Sequence, residues 1–329
     1  MYNFLKKILP SLEESKIENI AYASCFVDYN EDYKDFIIQR LPEKFKNKRY
    51  EEKNHKYSPI CTAHNNLDNM LRAVIFDKKE DFKKVYTPFH FFPQINQGKI
   101  TSYTTAPNPK LLQFWIKEEF DKVKKSKEDE IRDCFRLGIL LHSYMDSFVH
   151  NDFVGFHHKI NKVYKIKYMR PKDKEWRKVN RFRSALIPSI GHAKVESLPD
   201  TGNLLFSFYK RLEKGEVAYF LKDTNRFKEA FVELGKILTN NEIDPTELPD
   251  FEDSEFTEKK FDFEKMFKKS LVPANLWAKL KPSGTDPFLG IFRKKFFYKS
   301  QEYFIFQEEA LKIREQVLSF PENIEEVSK

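Results

Sequence analysis

The chain of 329 residues contains few cysteines and no long apolar run. Its three cysteines, Cys25, Cys61 and Cys134, are far apart and form no C-x-x-C pair, so the sequence predicts neither a disulfide framework nor a thiolate zinc site. No segment reaches the roughly 18 to 20 uninterrupted apolar residues of a membrane span, and the N-terminus has no apolar signal region. We therefore expect a cytoplasmic protein without a transmembrane segment.

Glycine is also scarce, with nine residues against sixteen prolines, and no Asn-Gly or Asp-Gly pair separates two apparent strands. Such pairs are the usual turn signals of β-hairpins, so their absence argues against an all-β architecture. The chain is 40% hydrophobic and 16% aromatic, which is enough to fill a large core. We predict a mostly α-helical domain built like a multi-helix bundle.

Apolar residues recur at helical spacing in several parts of the chain. A capping box at Ser11 and Glu14 begins a first helix that we expect to end near Val27. Two further helices are predicted over 111–125 and 129–149, and the second has a nearly all-round apolar middle that indicates burial. The remaining predicted elements are a short helix over 67–76, a loop or extended segment over 85–94 and a long C-terminal helix within 286–318.

Basic and acidic residues are distributed unevenly along the chain, although the net charge of +8 is modest. Residues 159–183 carry eleven Lys or Arg and two acidic residues, whereas residues 240–266 carry ten Asp or Glu and three Lys. We predict a helical domain over 1–240, an acidic linker or loop over 241–265, and a C-terminal helical segment over 266–329 that packs on the core. The basic segment, with its interleaved aromatic residues, is compatible with contact to single-stranded nucleic acid; the alternative is a solvated loop paired with the acidic segment.

Three polar residues follow one another at four-residue spacing in the last part of the helix predicted over 129–149 and directly after it. They are His142, Asp146 and His150. Residues i, i+4 and i+8 share one face of a helix. Burying a carboxylate and two imidazoles on an apolar helix is costly unless they are paired or bind a cation. Gly138 precedes them on the same face, where it either leaves space for another ligand or allows a second helix to approach closely.

Other histidines and one carboxylate occupy similar apolar settings. His64, His90 and His192 each lie among apolar or small residues, and Asp28 falls on the apolar stripe of the first helix. Each histidine taken singly is more often a hydrogen-bonded core or loop residue than a ligand. Taken together, imidazoles and carboxylates without thiolates suit zinc, with manganese or iron as alternatives, and one to three ions. The predicted domain is therefore helical around a buried His/Asp metal site.

Five segments of the chain, in order, resemble a bacterial domain-of-unknown-function family, number 6765: IAYASCFVDYN, TAH, VYTPFHFFP, FRLGILLHSYMDSFVHNDFVG and IGHAKVESLPD. The helix motif L-H-x-Y-x-D-x-x-x-H-x-x-F-x-G is the most specific part, and the resemblance covers residues 17 to 230. It implies that one site contains Asp28, His64, His90, His142, Asp146, His150, His192 and Asp200. Family members also begin with Asp-Phe-His, where this chain has Tyr2, Asn3 and Phe4, so one metal position is missing here.

A more distant resemblance adds one residue. The order His142, Asp146, His150, His192 and Glu196 is similar to the ligand order of bacterial zinc-dependent phospholipases C and single-strand-specific zinc nucleases. Those proteins are helical phosphodiesterases with three zinc ions. They also use a freed N-terminal amine as a ligand, which this chain does not obviously supply, so the similarity is incomplete.

We expect a metal-dependent phosphoester hydrolase, with zinc the first choice of metal. Its substrate would be anionic and contain phosphate, such as a nucleotide, a nucleic acid or a phospholipid head group. Asp28 and Asp146 are the predicted catalytic residues, which would bridge ions or orient the attacking water. The alternatives are a non-catalytic module in which metal only stabilises the helices, and an interaction protein with a metal-free polar core.

Overall fold

The computed structural model describes residues 1–30, 35–38, 41, 43–63, 79–126, 131–170, 173, 175–179, 190–191, 205–212, 215–248 and 301–324. These residues form seven α-helices and nine β-strands. The helices are α1 (Tyr2–Ile8), α2 (Glu14–Tyr29), α3 (Lys79–Phe89), α4 (Lys110–Lys125), α5 (Ile131–Val149), α6 (Asp223–Thr239) and α7 (Gln301–Leu318).

The strands form three antiparallel sheets. The first contains β1 (Phe36–Ile37), β2 (Tyr50–Glu51) and β3 (Lys56–Tyr57) in the order β1-β3-β2, and the second pairs β4 (Gln94–Asn96) with β5 (Lys99–Ser102). The third contains β6 (Val163–Met169), β7 (Arg177–Lys178), β8 (Leu205–Leu212) and β9 (Gly215–Lys222) in the order β7-β6-β8-β9.

The expectation of a mostly α-helical bundle is therefore wrong, because a four-stranded sheet stands beside the helices. Phe206, Phe208 and Lys210 occupy alternate positions of strand β8 and are all buried, and Ser207 between them is buried too. The two residues between β8 and β9 are Glu-Lys, which is not one of the turn pairs that mark a hairpin. Without that signal, local sequence alone does not indicate that these two segments pair as strands.

Two hydrophobic clusters form the core. The larger one surrounds α5 and takes side chains from every helix, among them Phe26 of α2 and Phe306 of α7, whose rings meet edge to face at 4.7 Å. The smaller one lies against the four-stranded sheet and includes Phe208. The end of α3 joins them, because Phe89 belongs to the first cluster and Phe91 to the second. His90 therefore lies at the junction of the two clusters.

Several helix predictions are confirmed. The helices expected after Glu14, over 111–125 and over 129–149 correspond to α2, α4 and α5, although no side-chain cap bond forms at the start of α2. The C-terminal helix is present as α7, and its buried hydrophobic residues belong to the larger cluster. The loop predicted over 85–94 is wrong in its first half, since α3 continues through Pro88 to Phe89.

Some predicted segments lie outside the described residues, and the structure tests the remaining expectations only in part. The helix over 67–76 and most of the acidic segment are not described, so the division into domains at 241–265 stays a prediction. The three cysteines are free thiols. No helix in the described part of the chain is both long and apolar enough to cross a lipid bilayer.

Gly138 allows α5 to approach α2 closely. A Cβ atom added at this position would overlap the Ile20 carbonyl oxygen and lie 2.8 Å from the Cβ of Ala23. The Ile20 carbonyl oxygen belongs to the backbone and cannot rotate away. Gly138 therefore allows the two helices to pack closely, and the space beside it is filled by α2 and not by a ligand. The contact lies one turn before His142 on α5 and one to two turns before Asp28 on α2, so the helix separation that it sets also limits the distance between these two residues.

Gly138→Ala should destabilise the protein even though alanine favours helix by about 1 kcal/mol. The added methyl group must push α2 and α5 apart, and overpacking of this kind costs about 1–3 kcal/mol. Denaturant unfolding measures the loss. The control is Gly235→Ala in α6, where the nearest atoms belong to the movable Ile243 side chain. An equal or smaller cost at Gly138 would contradict the packing account.

Candidate metal centre

Three helices bring the central histidines and carboxylates together. Asp28 lies in the last turn of α2, His90 is the residue directly after α3, and His142 and Asp146 lie on one face of α5. The amide of His90 still donates to Tyr86 at 2.8 Å, so the helix fixes its backbone. His142 and Asp146 thus share one face of α5, as their four-residue spacing predicts. The facing side chains come from the end of α2 and from the residue after α3.

Asp28, His90 and His142 form a group that could hold a metal ion, because one ligand atom of each lies within 4.8 Å of the others. His142 Nε2 is 3.2 Å from His90 Nδ1 and 3.5 Å from Asp28 Oδ1. Asp146 Oδ2 is 2.9 Å from His90 Nδ1 and 3.2 Å from His142 Nε2. Two ligands at about 2.1 Å from a tetrahedral ion lie roughly 3.4 Å apart, so these separations suit one shared ion.

The protonation of His90 is determined by its neighbours. Its Nε2 lies 2.8 Å from the carbonyl oxygen of Thr62, which can only accept a hydrogen bond. A neutral His90 therefore carries its proton on Nε2 and turns the lone pair of Nδ1 toward the carboxylate of Asp146. Two lone pairs at 2.9 Å repel each other unless a second proton or a cation lies at this position. A histidine that binds a metal through one ring nitrogen usually donates the N–H of its other ring nitrogen to a carbonyl or a carboxylate, as His90 does to Thr62.

The electrostatics of the group favour a positive charge at its centre. Burial lowers the pKa of His142, but the carboxylates of Asp146 and Asp28 outweigh this effect and raise the pKa to about 9. Burial would raise the pKa of Asp146, yet His142 and His150 hold that pKa well below its ordinary value. His142 also hydrogen-bonds to the backbone of Ser24. The carboxylates thus create a negative field that a proton or a metal ion can neutralise.

His150 takes a different position from His90 and His142. Its Nδ1 lies 3.0 Å from the carbonyl oxygen of His90 and donates to it, and it is 3.6 Å from Asp146 Oδ2. Its ring stacks on Phe91 at 4.6 Å between centroids. The hydrogen bond of His150 Nδ1 is thus made to the backbone of a neighbouring candidate ligand.

The group is buried on one side and open on the other. The side chains of His90 and His142 are 7% and 8% exposed, and that of Asp146 is 18% exposed, whereas that of Asp28 is 55% exposed. Asp28 thus stands where solvent meets the buried imidazoles. An ion held here would have a side that a water molecule or a substrate can reach.

Four predicted ligands, His64, His192, Glu196 and Asp200, lie outside the described residues, and their roles stay predictions. The neighbouring described residues do lie near the group. Thr62 accepts from His90, and Gly191 lies against the ring of Phe91, with its amide bonded to the carbonyl of Val154 at 2.9 Å.

Two cations that the sequence did not single out support the chain around His150. Arg226 of α6 donates to the carbonyl oxygens of Phe148 and Val149 at the end of α5. Lys210 of β8 donates to the carbonyl oxygen of Asp152, and its Nζ lies 3.7 Å from the centroid of the Phe153 ring. The sequence marks Lys210 only through its place among the alternating buried residues of β8, and that pattern can be read only after the segment is recognised as a strand.

Lys210 should make stability depend on pH. Burial lowers the pKa of Lys210 to about 8, and the Asp152 carboxylate opposes this only in part. Because the pKa is higher in the unfolded chain, the unfolded state binds more protons above about pH 8, and stability should rise with pH by up to about 1.4 kcal/mol per unit until about pH 10.5. Urea unfolding of wild type and Lys210→Met across this range measures the difference. Parallel curves would show that Lys210 does not titrate as described.

His142→Ala should remove most of the metal affinity. Loss of a ligand costs more than loss of its supporting partner, which alone costs about 10–100-fold, so we expect a fall of more than about 100-fold in a zinc competition assay with a chelator. The control is His55→Ala, because His55 lies in the β2–β3 region and bonds to Tyr50. Wild-type protein without stoichiometric metal after zinc loading, or unchanged affinity in His142→Ala, would refute the metal centre.

Comparisons with known proteins place the chain in a family but assign it no activity. No curated protein and no solved structure matches the chain, so the resemblance to zinc-dependent phospholipases C and zinc nucleases finds no support. The model of a family of unknown function, DUF6765, matches residues 9–320. The match covers nearly the whole chain and includes every candidate ligand. The chain therefore belongs to the DUF6765 family.

Proposed function

We propose that this protein is a zinc-dependent phosphoester hydrolase whose ion is held by His90, His142 and Asp146, with a fourth position open toward the exposed Asp28. The observation that supports the metal is the convergence of three ligand atoms, since His90 Nδ1 lies 2.9 Å from Asp146 Oδ2 and 3.2 Å from His142 Nε2. Two nitrogens and carboxylate oxygens without sulfur suit zinc, and manganese or iron would accept the same donors. His150 supports His90 through its backbone carbonyl.

Hydrolysis is favoured over a purely structural role by the exposure of Asp28. A structural zinc is enclosed by protein ligands, whereas a catalytic one keeps a position for water. When bound, zinc would polarise a phosphoryl oxygen and lower the pKa of a bound water toward neutrality. Asp28, half-exposed at the opening, is placed to accept a proton from an attacking water. Asp146, mostly buried and 2.9 Å from His90, would hold the imidazoles in position.

An anionic substrate is suggested by the hairpin of β6 and β7. Lys165, Lys167 and Arg170 are all exposed there, and so are the rings of Tyr164 and Trp176, at 41% and 37%. Lys165 lies over the ring of Tyr209 at 4.6 Å. Exposed cations beside exposed aromatic rings are the combination that binds a single-stranded nucleic acid, by phosphate contact and base stacking. We propose such a strand as the substrate class.

The experiment compares hydrolysis and metal content in the same samples. Zinc-loaded wild type should hydrolyse bis(p-nitrophenyl) phosphate, and the chelated protein should not. Asp28→Asn should lower kcat by about 10²–10⁴-fold, as expected for loss of a proton acceptor. The matched control is Asp121→Asn, an aspartate of α4 that pairs with Lys124.

The outcomes separate the two roles of a metal. Loss of activity in Asp28→Asn with bound zinc retained supports hydrolysis at this site. Stoichiometric zinc that raises the melting temperature but yields no turnover with diesters, monoesters or single-stranded DNA would favour the structural role, in which metal binding contributes folding free energy.

The hairpin makes a separate prediction. Changing Lys165, Lys167 and Arg170 together to Gln should weaken binding of a single-stranded oligonucleotide and reduce the slope of log K against log salt by roughly 0.7 for each phosphate that the protein no longer neutralises. The control changes Lys117, Lys124 and Lys125 of α4, which are also exposed, and carries the same charge change. Fluorescence anisotropy at several salt concentrations measures both. Equal effects of the two triple variants would mean that only net charge matters.

A further inference from the structure

A second group of cations lies away from the proposed metal ligands. A pocket of about 470 Å³ is lined by Arg49, Lys84, Arg314, Glu315, Leu318 and Ser319. Arg49 precedes β2, Lys84 belongs to α3, and the other residues belong to the last turn of α7 and the residue after it. The lining thus combines three cations with one carboxylate, and none of Asp28, His90 and His142 takes part.

Arg314 is more buried than Lys84, the other cation of this pocket that has no partner among the described residues. Its side chain is partly buried, and within the described ranges it has no hydrogen-bond or ion-pair partner. Burial lowers the pKa of Arg314, and the charge of Arg49 lowers it further, although a guanidinium stays charged. An arginine presents five N–H donors in a planar fork. Arg314 therefore brings to the pocket a charge and N–H donors without an acceptor among the described residues.

Arg49 is held rigidly beside it. Its Nε donates to the carbonyl oxygen of Ser58 at 2.5 Å and its Nη2 to that of Pro59 at 2.7 Å. These two bonds fix the plane of the guanidinium and leave Nη1 for another acceptor. The one carboxylate in the lining, Glu315, is already paired with Lys48. Two arginines thus face one pocket without a free counter-charge among its lining residues.

We propose that this pocket binds the phosphate group of a small phosphate monoester. Two guanidinium groups and an ammonium match the charge of a dianion better than that of a carboxylate, and the guanidinium fork fits phosphate oxygens in pairs. The volume exceeds that of phosphate alone, and Leu318 offers an apolar contact to an organic part. The proposal does not depend on a metal ion or on hydrolysis.

The test uses the full-length, metal-free protein in the presence of a chelator. Isothermal titration should show binding of adenosine monophosphate, weaker binding of inorganic phosphate, and none of acetate at equal ionic strength. Arg314→Gln should weaken monophosphate binding by at least about tenfold, and Arg314→Lys, which keeps the charge but not the fork, by a smaller factor. The control is Lys312→Gln on the same helix, since Lys312 pairs with Glu309 outside the pocket.

Each outcome decides the proposal. Circular dichroism shows whether Arg314→Gln is folded, and Lys84→Gln provides a second variant at an exposed position. Binding that is weakened in these variants and retained in Lys312→Gln and in His142→Ala supports a phosphate site separate from the metal centre. The proposal is overturned if neither phosphate compound binds at roughly 10 mM, if acetate binds equally well, or if Arg314→Gln binds like wild type.

Discussion

The candidate centre depends above all on the position of the His90 imidazole. The Thr62 carbonyl holds a proton at Nε2, and the Asp146 carboxylate lies 2.9 Å from Nδ1. Both neighbours are acceptors, so the neutral ring cannot satisfy both, and a positive charge is needed between the imidazole and the carboxylate. If that positive charge is a metal ion, the facing His142 is a second nitrogen ligand, and the opening at Asp28 is the side from which water reaches the ion.

The fold supports that arrangement from several directions. Gly138 brings α2 against α5, so Asp28 and His142 face each other, and the end of α3 places His90 where the helical and sheet clusters meet. Lys210 of the sheet and Arg226 of α6 bind carbonyl oxygens around the end of α5. The helices and the residue after α3 therefore supply the candidate ligands, and the sheet and α6 hold the turn that follows α5.

The sequence predicted those parts of the site that depend on local geometry. Four-residue spacing placed His142 and Asp146 on one helix face, and the apolar stripe of α2 marked Asp28 as out of place. The contacts of His150 depend on which carbonyl lies opposite its ring, and no local pattern encodes that. The sheet was missed because β8 and β9 are joined without a recognised turn pair, and α3 was missed because Pro88 indicates a break that tertiary packing overrides.

X-ray absorption at the zinc edge tests the central claim most directly, because it reports the atoms around the ion whether or not the protein is an enzyme. The described centre contains nitrogen and oxygen atoms only, while a sulfur ligand would have to come from one of the free cysteines, Cys25, Cys61 and Cys134. We predict a single shell of nitrogen and oxygen at about 2.0–2.2 Å with imidazole outer-shell scattering. A sulfur shell at about 2.3 Å, or a spectrum without imidazole scattering, would contradict the account.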